Sequence, residues 1–307
     1  MKRFGLQFLF FCFMLLFFVS CSQENDNHIT SFTDTMLEGE DSVVVIPTNS
    51  ANWNISCVYN PDGLPIYDIN GLPLQLKGLG EISSSWFRIK RESSMELKVE
   101  VDENFDIGTR GMIIELSQGP FLENITIRQK KSEGYVFSKI DYTLEDGDGI
   151  TEFNKPYASD ATFFVMNNKT SVDQKMILSP YKGLQSESIF TSDDATAFSW
   201  TSGGEVEVQV PANISHGTIL YDNSLRKYNK QPTQFLSKIN DQTFDVKVPA
   251  NSVSTSHITN IRYQKIQATY YMTLISRRTK AEKHIKGRWT QMSPIDCVIK
   301  TDNKALK

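Results

Sequence analysis

The sequence predicts an all-β protein: a small antiparallel β-sandwich, followed by a second, elongated antiparallel β-rich domain. Three observations carry this. Apolar and polar residues alternate with period two in window after window, as they do when successive side chains point to opposite faces of a strand. Gly, Asn and Pro punctuate those windows at the spacing of strand turns. No window of comparable strength repeats at 3.6 residues. At 307 residues the chain is long enough for two domains, each with its own core.

Composition narrows the class. Hydrophobic residues make up 39% and charged residues 22%, with 19 Phe and 11 Tyr, a composition that builds cores and excludes wholesale disorder. No apolar run approaches the roughly 20 residues of a membrane-spanning helix. Four Cys and four His are too few for a disulfide scaffold or a multi-zinc protein. A net charge of −4 argues against a nucleic-acid partner.

Residues 1–20 read as a secretory signal: Lys2 and Arg3, then an unbroken apolar stretch from Phe8 to Val19, then Ser20. Phe18-Val19-Ser20-Cys21 resembles a bacterial lipobox, although Val19 and Ser20 depart from its commonest form. The resemblance implies acylation of Cys21 and a lipid anchor in the outer membrane. Ser22-Gln23-Glu24-Asn25-Asp26 is similar to the surface-export signal of Bacteroidota lipoproteins, which implies exposure at the cell surface; a flexible acidic tether over 21–37 describes the same residues. Removing 1–20 leaves 30 basic and 36 acidic residues, net −6. Cys57 and Cys297 lie far apart in the chain and are expected as buried thiols, with a disulfide between them as the lesser alternative.

Residues 38–132 form the first predicted domain. Val43 and Val45, Trp53 and Ile55, then Leu97, Val99 and Val101, Met112, Ile114 and Leu116, and Ile125 and Ile127 are expected to face its core. Trp53-Asn54-Ile55-Ser56, Ser85-Trp86-Phe87, Val99 to Asn104, Arg110 and Ile125 to Gln129 together resemble a BACON domain. That resemblance implies an immunoglobulin-like sandwich and carbohydrate binding. Residues 59–82 are a longer insertion than the family pattern, with turn signals at Pro61-Asp62-Gly63 and Asn70-Gly71. Trp53 and Trp86 sit inside strand patterns and are expected in the core rather than stacked on a sugar. Tyr59 and Tyr67, in the insertion, are the better candidate ligand contacts.

Residues 133–307 continue in longer strands, with windows at 162–166, 204–210, 243–248 and 258–275. Ser276 to Ile285 is either a helix or a basic hairpin loop. Asn167 to Gln174, the strand through Ser188 to Ser192, the hairpin candidate Glu205 to Tyr221, and Phe244 to Ala250 before a long return strand loosely resemble the aerolysin and epsilon-toxin group. The resemblance implies a β-pore-forming relative. The hairpin is shorter and poorer in Ser and Thr than in those toxins, and an ordinary half-buried hairpin explains the same alternation. Between Arg262 and Arg288 lie eight basic residues and one acidic residue, Glu282. Arg277, Arg278, Lys280, Lys283 and Lys286 are candidate contacts for an anionic surface; a charged strand edge is the competing reading.

Nothing in the sequence points to an enzyme. His28, His216, His257 and His284 lack metal-ligand spacing, and neither a nucleophile elbow nor a phosphate loop occurs. Glu145-Asp146-Gly147-Asp148-Gly149 is calcium-like in composition but lacks EF-hand spacing. No cofactor or metal is expected. The leading reading is a non-enzymatic lipoprotein that binds an extracellular glycan, protein or membrane. A pore-former and a glycosidase with carboxylates dispersed in sequence stand as alternatives. No ligand identity or oligomeric state follows.

Overall fold

The computed structural model describes residues 28–157, 163–201 and 206–306. The signal segment, Cys21 and Glu205 lie outside these. The chain is all-β and divides into two compact units at Ser132/Glu133.

The first unit contains β1 (Asp34–Leu37), β2 (Ser42–Pro47), β3 (Asn54–Tyr59), β4 (Gly80–Ser83), β5 (Phe87–Ser93), β6 (Glu96–Val101), β7 (Arg110–Gln118) and β8 (Phe121–Gln129). They form two four-stranded sheets, β1-β8-β7-β3 and β2-β6-β5-β4. Only β1, parallel to β8, departs from antiparallel pairing within them. Leu97, Val99, Met112, Ile114, Leu116, Ile125 and Ile127 are fully buried in one core between the sheets. Strict alternation on β6, β7 and β8 is the cause: each strand offers the other sheet one apolar face.

Two expectations change here. Val43 and Val45 are 58% and 53% exposed, while Ile46 is fully buried. The run Val43-Val44-Val45-Ile46 is apolar throughout, so its own pattern selects no face. Pairing of Val44 with Val99 and Ile46 with Leu97 decides it. The tether also ends earlier than residue 37. Ile29 is fully buried, and the N–H groups of Ile29 and Thr30 donate to the Glu123 carboxylate at 2.9 and 3.1 Å. β1 then adds the edge strand.

The second unit contains β9 (Tyr135–Thr143), β10 (Gly149–Pro156), β11 (Phe163–Asn168), β12 (Gln174–Leu178), β13 (Gln185–Thr191), β14 (Glu207–Gln209), β15 (Asn213–Ser215), β16 (Thr218–Leu220), β17 (Leu225–Lys227), β18 (Thr233–Leu236), β19 (Phe244–Val248), β20 (Ser252–Ser276) and β21 (Glu282–Ala305). Its spine is the β20–β21 hairpin, of 25 and 24 residues. The main sheet runs β10-β20-β21-β13-β18, with β9 and β11 also on β20. Residues 277–280 are the hairpin turn, not a helix. The Ser276 N–H donates to the Ala281 carbonyl, and Lys280 adopts φ 62°.

The expected hairpin at 205–221 is one arm of a longer excursion. β14 pairs with β17 and β15 with β16, and the tip is His216-Gly217, both at positive φ. Paired positive-φ residues make the tight turn whose twist suits a hairpin. Val208 and Val210 are buried, and the Tyr142 hydroxyl donates to the Gln209 carbonyl at 3.0 Å. In this conformation Val208 and Val210 pack inward, while Tyr221 is 49% exposed.

Candidate functional site

The motif residues of the first unit are structural. Trp53 is 1% exposed, its indole N–H reaches the Ser94 carbonyl at 2.9 Å, and the Arg91 guanidinium lies 3.9 Å over its ring. Arg110 covers Trp86 at 4.5 Å. Asn104, fully buried, donates to the carbonyls of Gly108 and Lys130 at 2.9 and 3.0 Å. Gln129 donates to the carbonyls of Glu40 and Asp102, both at 2.9 Å, and accepts from Arg110 at 2.9 Å. These amides satisfy loop carbonyls that the sheets leave over. One face of each Trp ring is covered by an arginine.

The insertion holds what the sequence pattern alone concealed. Tyr59-Asn60-Pro61-Asp62-Gly63-Leu64-Pro65-Ile66 is followed at once by Tyr67-Asp68-Ile69-Asn70-Gly71-Leu72-Pro73-Leu74, an eight-residue repeat. Each copy closes one turn. The Asn60 side-chain oxygen accepts from the N–H groups of Asp62 and Leu64 at 3.0 and 2.9 Å, and Asp68 does the same for Asn70 and Leu72 at 2.8 and 2.9 Å. Gly63 and Gly71 take φ of 79° and 77°, a conformation that costs glycine little. The copies stack, because Ile66 donates to the Val58 carbonyl and Leu74 to the Ile66 carbonyl, at 2.8 and 2.9 Å. Aligning 59–66 against 67–74 was the available signal.

This ladder sorts its side chains. Val58 and Leu74 are buried, with Ile66 packed against the same core. Leu64 and Leu72 (each 62% exposed), Tyr67 (55%) and Ile69 (100%) face outward. Tyr59 is half-buried, and burial raises its hydroxyl pKa. Of the two tyrosines, Tyr67 is the one presented. Backbone N–H groups, first that of Leu72, hold the Asp68 carboxyl below its usual range.

The basic residues of the second unit do not form one face. Arg277, Arg278 and Lys280 sit at the β20–β21 turn and are exposed, whereas Lys283 and Lys286 project to opposite faces of β21. Lys283 lies 5.2 Å over the Tyr135 ring, and Lys286 pairs with Glu145 at 2.9 Å. Arg288 pairs with Asp148 at 3.1 Å and Arg262 with Asp296 at 3.1 Å. Acids distant in sequence thus compensate Arg262, Lys286 and Arg288. The acidic turn is likewise committed internally: Asp148, its side chain fully buried, accepts from the Thr269 N–H and hydroxyl at 2.8 and 2.7 Å. Among the described residues no group of three or more His, Cys, Asp or Glu is placed to hold a metal. Cys57 and Cys297 are buried free thiols.

No protein-family model matches the chain, and no curated protein matches it. Solved structures do. A lamprey immune protein is similar over 86% of this chain and 99% of its own, at 12% identity and a TM-score of 0.39. The parasporin-2 toxin of Bacillus thuringiensis matches over 56% and 77%, at 14% identity and a TM-score of 0.29. An aerolysin-like protein of Bombina maxima matches over 54% and 99%, at 9% identity and a TM-score of 0.26. At these scores the likenesses transfer no activity to this chain.

Proposed function

We propose that this protein is a non-enzymatic surface lipoprotein, anchored through Cys21, that binds an extracellular protein through the double turn at 59–74. One observation carries the reading: Leu64, Tyr67, Ile69 and Leu72 are exposed together on turns already locked by Asn60 and Asp68. Apolar side chains pre-ordered on a rigid scaffold are what a contact loop needs, because little conformational entropy is left to lose on binding. Aliphatic groups beside one tyrosine fit an apolar protein surface better than a hydroxyl-rich sugar. Retention of the full-length protein on immobilised mucin, collagen and fibronectin, against starch, xylan and mannan, tests this. The variant carrying Tyr67→Ser and Ile69→Ser should lose about 2 kcal/mol or more of binding to the protein set. Retention only on polysaccharides, or an unaffected variant, would overturn the reading. Metabolic labelling with an alkyne fatty acid tests the anchor: wild type should label and Cys21→Ala should not.

A second reading, membrane interaction through residues 206–228, has one observation in its favour. β14 to β17 form backbone ladders only among themselves, and side-chain hydrogen bonds from Tyr142 to Gln209 at 3.0 Å and from Arg226 to Gln291 at 3.3 Å tie them to the main sheet. Among the described residues this excursion can therefore detach without breaking a main-sheet ladder. Dye release from liposomes decides it; intact liposomes at micromolar protein would remove it.

A further inference from the structure

A cleft of about 560 Å³ opens in the second unit where the acidic turn, the end of β13 and the first part of β21 meet. That volume is in the usual range for a small-molecule site. Glu145, Asp193, Asp194, Lys286 and Arg288 line it, with Gly287 between the two cations. Every other lining residue is Ser or Thr.

The cleft is built by specific packing. A Cβ at Gly287 would stand 2.1 Å from the Thr191 carbonyl oxygen and 2.5 Å from the Tyr270 hydroxyl, so only glycine lets β13 and β21 approach here. The Tyr270 hydroxyl is held by that of Tyr228 at 3.0 Å. Buried Asp148 fixes one wall, accepting from the Glu145 N–H at 3.0 Å and pairing with Arg288, which also donates to the Asp146 carbonyl at 3.0 Å. The opposite wall is fixed where Ser192 donates to the Lys286 carbonyl at 2.6 Å, and where Asp194 accepts from the Thr196 N–H and hydroxyl, both at 2.8 Å.

Chemistry narrows the occupant. Every lining residue is charged, hydroxylated or glycine, so the cleft presents no hydrophobic side chain to a ligand. A free anion meets three carboxylates and two cations that are already matched, Lys286 by Glu145 and Arg288 by Asp148. A metal ion finds Glu145 engaged by Lys286 and one Asp194 oxygen engaged by Thr196. What stays open is a mixture of acceptors and donors. Asp193 makes no hydrogen bond or ion pair among the described residues, and the Lys286 ammonium and Arg288 guanidinium carry more N–H groups than their partners use. Sugar hydroxyls both donate and accept, so neighbouring hydroxyls can satisfy a carboxylate and a cation together. We propose that this cleft binds a neutral saccharide, with Asp193 accepting from one hydroxyl and Lys286 or Arg288 donating to the next.

The site is separate from the double turn, and the test keeps the two apart. Saturation-transfer NMR is run on the full-length protein in a sugar-free zwitterionic detergent, with methyl α-D-glucoside, methyl α-D-mannoside, methyl β-D-galactoside and lactose as probes. Calcium chloride and sodium sulfate serve as competitors. At least one glycoside should receive saturation, and Asp193→Ala should weaken it by about tenfold, the loss of one hydrogen bond to a charged group. Because Asp193 is exposed and holds no other residue, this variant should fold and melt as wild type does. Ile69→Ser should change nothing. Absence of transfer to every probe, transfer indifferent to Asp193→Ala, or displacement by calcium or sulfate would overturn the proposal.

Discussion

The two units are stabilised by different arrangements of the same residue types. In the first, one continuous cluster from Ile29 to Ile127 joins both sheets, and every strand except β1 and β4 contributes a fully or nearly fully buried side chain to it. In the second, among the described residues, burial follows the long hairpin in successive clusters, two of which share Phe164 and Ile299. Tyr181, Ile258, Ile261 and Cys297 form one, and Met176, Leu178 and Val248 another. A third is aromatic, with Phe190 5.1 Å from Tyr228 and 5.6 Å from Tyr270. Near the far end of β20 the inward positions are hydroxyls, Ser252, Ser254 and Ser256, and Ser256 meets Thr301 at 2.7 Å. A single core couples all its strands, whereas clusters in series couple only neighbours. The first unit should therefore open as a whole and the second in segments.

The largest expected effect tests that contrast directly. Ile114→Ala removes a fully buried side chain from the shared cluster and should cost about 2–5 kcal/mol. Amide exchange should then quicken across all of β2 to β8. Ile261→Ala should quicken exchange only around residues 258–261 and 297–299; a uniform response across the second unit would break the comparison. A smaller effect is expected at Gly287→Ala, where the added methyl forces β13 from β21 at a cost of about 1–3 kcal/mol. Exchange should rise at residues 187–191 and 288–292 and stay unchanged in the first unit.

The smallest effect compares the two copies of the turn. The Asp68 carboxyl lies below its ordinary value of 3.8, so it favours the folded turn above that pH and loses this contribution as pH falls through its folded value. Asn60 has no such titration. Between pH 5 and 3, protection of the Asn70 and Leu72 amides should fall while that of Asp62 and Leu64 holds. Asp68→Asn should abolish the difference.

How much was legible follows the same division. β6, β7 and β8 could be read because each carries consecutive alternate positions filled by buried apolar residues, with polar or half-exposed residues between them. Glu282 to Ala305 was not recognised as a strand: Pro294 and scattered charges interrupt its alternation, and it is half-buried on both faces by neighbours in the sheet. The basic cluster read as a patch because its counter-charges, Glu145, Asp148 and Asp296, come from elsewhere in the chain or fold. Pairing between strands, which sequence order does not display, decided all of these.

The ladder at 59–74 grows by whole rungs. Each copy opens with Tyr, closes its own turn with an Asx side chain and Gly, and hands its successor one carbonyl eight residues back. An in-frame duplication of 24 nucleotides would therefore add a rung without altering the register of β3 with β7. The length of this loop is a quantity that replication slippage can vary in steps of eight residues while the sandwich beneath it is conserved.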